Sequence, residues 1–152
     1  MFALLSLIAV GSATSVAFGQ DLGAFSYPGT QTAGAHWEPQ FGSGPVRVEA
    51  LDDGSTCLVL EAEFTAEKER ACWDWVAPLN LAGEGRVAFE VSGTGRALIG
   101  TAIVHFGTPN GWYARAWDVG AGEGWVRQDL SLGTFGTEGE PDGWDSVQRF
   151  RF

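Results

Sequence analysis

Cations are scarce in this 152-residue chain: nine Lys and Arg stand against nineteen Asp and Glu, a formal net charge of −10. No run of Lys or Arg occurs anywhere. Phosphate backbones and anionic bilayers are held by clustered cations, so nucleic acid and membrane surfaces are excluded as partners. Cysteine is nearly absent as well, with only Cys57 and Cys72. Together with two separated histidines, His36 and His105, they are too few for a zinc centre. Two readings of the cysteine pair stay open. A disulfide would close a loop of roughly 15 residues and contribute about 3 kcal/mol in an oxidising compartment. Two free thiols would pack as small hydrophobes.

Helical periodicity is lacking too. The one candidate after the N-terminus, Thr65 to Arg70, is too short to hold a helix alone. What the chain has instead is glycine, 22 residues of it, with 6 prolines. They break the sequence into short apolar runs at intervals of about ten residues, the pattern of an all-β sandwich. Strands are expected near 35–38, 46–51, 56–64, 70–77, 85–91, 96–106, 111–118, 124–130 and 146–152. Asp52-Asp53-Gly54, Ser92-Gly93-Thr94-Gly95 and Thr108-Pro109-Asn110-Gly111 supply turn chemistry between them. Alternation places Leu58, Leu60, Ala62 and Phe64 on one face, with Cys57, Val59, Glu61 and Glu63 on the other. Val87, Phe89 and Val91 likewise share a face. The run ending at Phe106 is apolar on both faces, as a central, doubly covered strand would be.

The first nineteen residues read as an export signal. Leu4 to Val10 is apolar, and Ala17-Phe18-Gly19 before Gln20 has the small-x-small form of a cleavage site. A secreted or periplasmic location follows, with residues 20–152 as one β-sandwich domain and no membrane contact after cleavage. The positive n-region is missing, and a buried first strand or an anchor is the alternative. At the other end Val147, Phe150 and Phe152 read as a strand with no cap or polar tail after it. That leads to the expectation of a sandwich cut short at its C-terminal strand, or of a first domain with more polypeptide downstream.

Seven tryptophans are the positive signal, densest in Cys72-Trp73-Asp74-Trp75, Gly111-Trp112-Tyr113-Ala114-Arg115-Ala116-Trp117 and Gly124-Trp125. Flat aromatic faces beside polar groups suit stacking on sugar rings. Tyr113, Arg115 and Trp117 share one strand face, with Trp112, Ala114 and Ala116 on the other. A saccharide would stack on Tyr113 and Trp117 while Arg115 donates to its hydroxyls, and Trp75 with Trp73 offers a second aromatic pair. In the competing reading these rings are core and Arg115 is a solvated residue laying its stem on Trp117. Glu138, Glu140, Asp142 and Asp145 crowd one turn. Calcium wants several such oxygens, but the spacing matches no calcium loop, so a structural Ca2+ has no motif behind it and no cofactor is expected. Glu61 and Glu63 would stand about 6–7 Å apart on one strand face, the separation of a glycosidase pair. Their companions Cys57 and Val59 give no aromatic cleft, and His36 and His105 lack a nucleophile elbow, so the region is expected to be non-catalytic.

The run from about Val59 to Phe152 resembles a bacterial family of exported galactose-binding-like domains, the jelly-roll class related to carbohydrate-binding modules. The resemblance is carried by "RACWDWVAPLNL", "RVAFEVSG", "VHFGTPNGWYARAW" and "EGWVRQDLSLGTFGTEGEPDGWDSVQRFRF". It implies a two-sheet antiparallel jelly roll placed beside a carbohydrate-active domain of the same polypeptide. It carries over no catalytic residues. Cys72 departs from the pattern, standing where the family commonly has an aromatic residue. The function expected is non-catalytic saccharide binding by an accessory module. The alternative is a packing module between domains with no ligand of its own.

Overall fold

The computed structural model describes residues 2–8, 27–64, 69–93, 99, 101–119 and 124–152. Eleven strands are seen among them: β1 (Phe2–Ile8), β2 (Trp37–Gln40), β3 (Arg47–Ala50), β4 (Thr56–Glu63), β5 (Cys72–Leu79), β6 (Arg86–Gly93), β7 (Ala102–Thr108), β8 (Gly111–Trp117), β9 (Val126–Ser131), β10 (Gly136–Gly139) and β11 (Val147–Arg151). One short helix, α1 (Thr30–Gly34), precedes β2, and a 3-10 turn at Leu132–Thr134 follows β9. The strands form two antiparallel sheets, ordered β3-β4-β1-β6-β9 and β10-β8-β7-β11-β5-β2. An all-β sandwich is therefore the architecture.

Alternation decides what lies between the layers. From the first sheet Leu58, Leu60, Ala62, Phe89, Val91 and Leu130 point inward, and from the second Trp37, Trp73, Trp75, Val104, Phe106, Trp117 and Phe150 do so. Phe89 meets Trp117 edge-on at 5.3 Å and Phe152 at 5.5 Å, which ties the sheets together at the ring level. Burying rings of this size supplies most of the driving force for a sandwich, with edge-to-face geometry adding to it.

The N-terminal apolar run that reads as the heart of an export signal takes the central position of the first sheet. Its register with β4 runs from Phe2 opposite Glu63 to Leu7 opposite Leu58, and with β6 from Leu5 opposite Gly93 to Ile8 opposite Glu90. The run is a strand paired on both sides. The remainder of the expected signal, most of the Thr65 to Arg70 segment, and the start of the strand expected over 96–106 lie outside the described residues.

The disulfide entertained between Cys57 and Cys72 does not form; both thiols are free and buried. The reason is the layering. Cys57 belongs to β4 and packs with Val59 and Leu51 away from the main core. Cys72 begins β5, in the other sheet, on the same strand face as Asp74. Burial pushes the Cys72 thiol up to about 11, the behaviour of an inert packing residue.

Candidate functional site

The outer face of the six-stranded sheet holds the buried charge of the described residues, Asp74, with its arginine partners. It arises from strands whose aromatic residues alternate with charges. In β5, Trp73 and Trp75 turn inward, so Asp74 between them must turn outward. In β11, Phe150 is inward, so Arg149 and Arg151 are outward. In β7, Val104 and Phe106 are core, leaving His105 and Gly107 outside.

Register then aligns these residues into rows. Arg151 stands opposite Asp74 on one side and His105 on the other. Arg149 stands opposite Gly107, Gly107 opposite Trp112, and Trp112 opposite Glu138. Asp74 is fully buried, the one buried charged residue among those described. Its carboxylate accepts from Arg151 Nε at 2.6 Å, Arg151 Nη2 at 2.8 Å and Arg149 Nη1 at 3.0 Å. These bonds raise the Arg151 pKa above its ordinary value. A carboxylate this buried is tolerated only because charged donors fill its lone pairs.

Trp112 lies across the sheet over Gly107. A Cβ at Gly107 would come within 2.7 Å of the indole ring, so the missing side chain is what lets the ring lie down. The Arg151 guanidinium sits 4.4 Å from the centre of that indole, and His105 meets it edge-on at 6.0 Å. Across from it, Phe41 in the turn after β2 is 54% exposed, with the Arg70 guanidinium 4.8 Å and that of Arg151 6.0 Å from its ring centre. Phe41 holds φ at 52°, a left-handed conformation that a bulky residue adopts only at a cost. Strain of this kind gathers where a side chain is held for a purpose. His105 Nε2 lies 3.8 Å from Glu138, and desolvation holds the imidazole below its usual value. Aromatic rings, guanidinium donors and the Glu138 carboxylate thus share one outer sheet face, with Trp112 half-buried and Phe41 exposed.

The residues singled out from sequence take other places. Trp75 and Trp117 are each 8% exposed and belong to the core. Tyr113 is half-buried and stacks on Trp144 at 3.9 Å with 14° between planes. Arg115 is exposed near the end of β8, with Nη1 3.5 Å from the Thr134 carbonyl. The division of β8 into two faces holds, but the outward one is that of Trp112, Ala114 and Ala116. The signal that finds the site is the charge set between aromatics, in Trp73-Asp74-Trp75 and in Arg149-Phe150-Arg151-Phe152.

In the acidic turn, Asp142 accepts from the Asn110 backbone at 3.0 Å and from its side-chain amide at 2.6 Å. Those bonds hold its carboxyl below the usual range and tie the turn to the β7–β8 hairpin. No three metal-ligating side chains come together among the described residues. Glu61 is exposed and bonds Arg47 at 2.6 Å. The chain matches no protein-family model, no curated protein and no solved structure.

Proposed function

We propose that the chain is a non-catalytic saccharide-binding module whose site is the outer face of the six-stranded sheet. The observation that carries this reading is Trp112 laid flat over Gly107 with Arg151, His105 and Glu138 around it. A pyranose offers an apolar C–H face to an indole and hydroxyls at its rim, and both kinds of partner are present here. The jelly-roll winding, the placement outside the cytoplasm and a carbohydrate-active neighbour on the same polypeptide belong to this proposal. Affinity should be modest, because one or two stacking rings must offset the ordering of a flexible ligand.

Affinity electrophoresis of the full chain through gels containing laminarin, xylan, dextran or polygalacturonate tests it. Retardation by at least one polymer is expected, lost in Trp112→Ala with the fold intact. Trp117→Ala is expected instead to cost about 3–5 kcal/mol of stability, as a core truncation does. Retardation by none of the polymers would count against the reading, and retardation that survives Trp112→Ala would move the site elsewhere.

A second reading has its own observation. Val76 and Ile103, each 40% exposed, are apolar residues on the same outer face. That apolar surface also fits a packing contact with another domain. In that case Val76→Asp would disturb interdomain contact without altering any retardation by polysaccharide.

A further inference from the structure

We infer that the saccharide this face takes is anionic, with a carboxylate held by the guanidinium edges of Arg149, Arg151 and Arg70. The inference rests on the saccharide reading of the face and narrows it to uronic-acid polymers.

Charge distribution is the first ground. In a chain with nine Lys and Arg and a net charge of −10, three arginines converge on this surface. One carboxylate, that of Asp74, serves Arg149 and Arg151, and Glu138 adds its field at Arg151. Geometry is the second. The rings of Phe41 and Trp112 stand against guanidinium planes at 4.8, 6.0 and 4.4 Å, giving the order Arg70, Phe41, Arg151, Trp112 across the face. A guanidinium covered on its plane by a ring still presents its N–H groups along the edge. Asp74 uses Nε and Nη2 of Arg151 and Nη1 of Arg149. Arg151 Nη1 and the outer edge of Arg149 meet no acceptor among the described residues. Planar, paired N–H edges match a carboxylate better than a lone hydroxyl.

The flanking acids limit where the anion sits. Glu138 lies at the β10 side, against His105, and Glu38 lies on β2, opposite Asp74. Both would repel a carboxylate placed over them. The anion is thereby confined to the arginine strip, and Glu138 is left to accept from a hydroxyl of the same chain. The left-handed Phe41 fits this arrangement, since it holds a ring where two guanidinium groups meet it.

Calorimetric titration of the 152-residue chain with oligomers of polygalacturonate, alginate and hyaluronate tests the inference. Each is compared with its carboxyl-reduced counterpart, and polyglutamate serves as a sugar-free polyanion. At least one uronate oligomer should bind roughly tenfold more tightly than its reduced form, and should weaken several-fold between about 50 mM and about 500 mM salt. Arg70 stands against the exposed Phe41 ring, and Arg70→Ala should lower that affinity several-fold without unfolding the domain. Equal binding of charged and reduced oligomers overturns the anion while leaving the saccharide reading standing. Equal binding of polyglutamate overturns it as well, because charge alone would then suffice. Failure of every uronate and every neutral polymer removes the saccharide reading and this inference together.

Discussion

Asp74 shows how a single residue sets the character of a surface. Its position between two core tryptophans fixes its direction, and its full burial fixes its need for partners. Arg149 and Arg151 meet that need, and in doing so are held upright beside Trp112. Asp74→Ala leaves two close guanidinium groups without their counter-charge and a gap beneath them. The side chains of Arg149 and Arg151 retain 39% and 23% exposure, so water softens the loss, and a cost near the lower end of about 3–5 kcal/mol is expected in urea unfolding. A cost below about 1 kcal/mol would mean the triad is a surface ornament. His105 supplies a pH signature. Desolvation, the largest cause, holds its pKa below 6.5, with Glu138 and Asp74 opposing and Arg151 reinforcing. The unfolded chain takes up this proton first as pH falls, so the associated stability is whole above about 6.5 and is lost as pH drops through the folded value. His105→Gln should therefore flatten the fall in unfolding midpoint between about pH 7 and about pH 5, and an unchanged slope would contradict it.

At the scale of elements, the register of β7, β8, β10 and β11 is what assembles the site, and glycine holds two of the joints. A Cβ at Gly111 would meet the Glu138 carbonyl at 2.6 Å and the backbone nitrogens of Glu140 and Pro141 at 2.8 Å. Backbone cannot step aside as a side chain can. Gly111→Ala should therefore detach β10 from β8 and show as lost amide protection across Gly136–Gly139. Gly107→Ala meets only the Trp112 ring and should tilt the indole while leaving the strands paired. Retained protection in β10 of Gly111→Ala would show that this close approach is not what seats the strand. The strand pattern was legible wherever side chains alternate: β4 and β6 carry Leu58, Leu60, Phe89 and Val91 inward as their spacing predicts. β10 was not, because its four residues, two of them glycine, are all exposed and leave no alternation to read. The site was half legible. Alternation separates Trp112 from Tyr113 and Trp117, but spacing within one strand cannot say which face meets the other sheet. That choice is made across strands, by Phe150, Phe152 and Phe89 claiming Trp117 and Trp75 for the core.

For the molecule as a whole, the position of β1 carries the largest consequence. It lies between β4 and β6, so removing residues 1–19 would leave two facing ladders with unpaired N–H and C=O groups. Export with cleavage and this pairing cannot hold in the same molecule at once. A chain starting at Gln20 should unfold at lower denaturant than the full chain, with exposed-surface dye binding; identical unfolding curves would show that residues 2–8 contribute nothing to the sheet. The second sheet owes no strand to that segment, and the proposed binding face is built on it alone. The central claim is that this outer face, and no other surface, meets saccharide. The most direct measurement is side-chain NMR of the full chain titrated with whichever oligosaccharide retards it most. Signals of Trp112, Phe41 and the Arg151 guanidinium should shift together and saturably, while the indoles of Trp73, Trp75 and Trp117 stay in place. Shifts confined to residues off this face, or none at saturating sugar, would contradict the account.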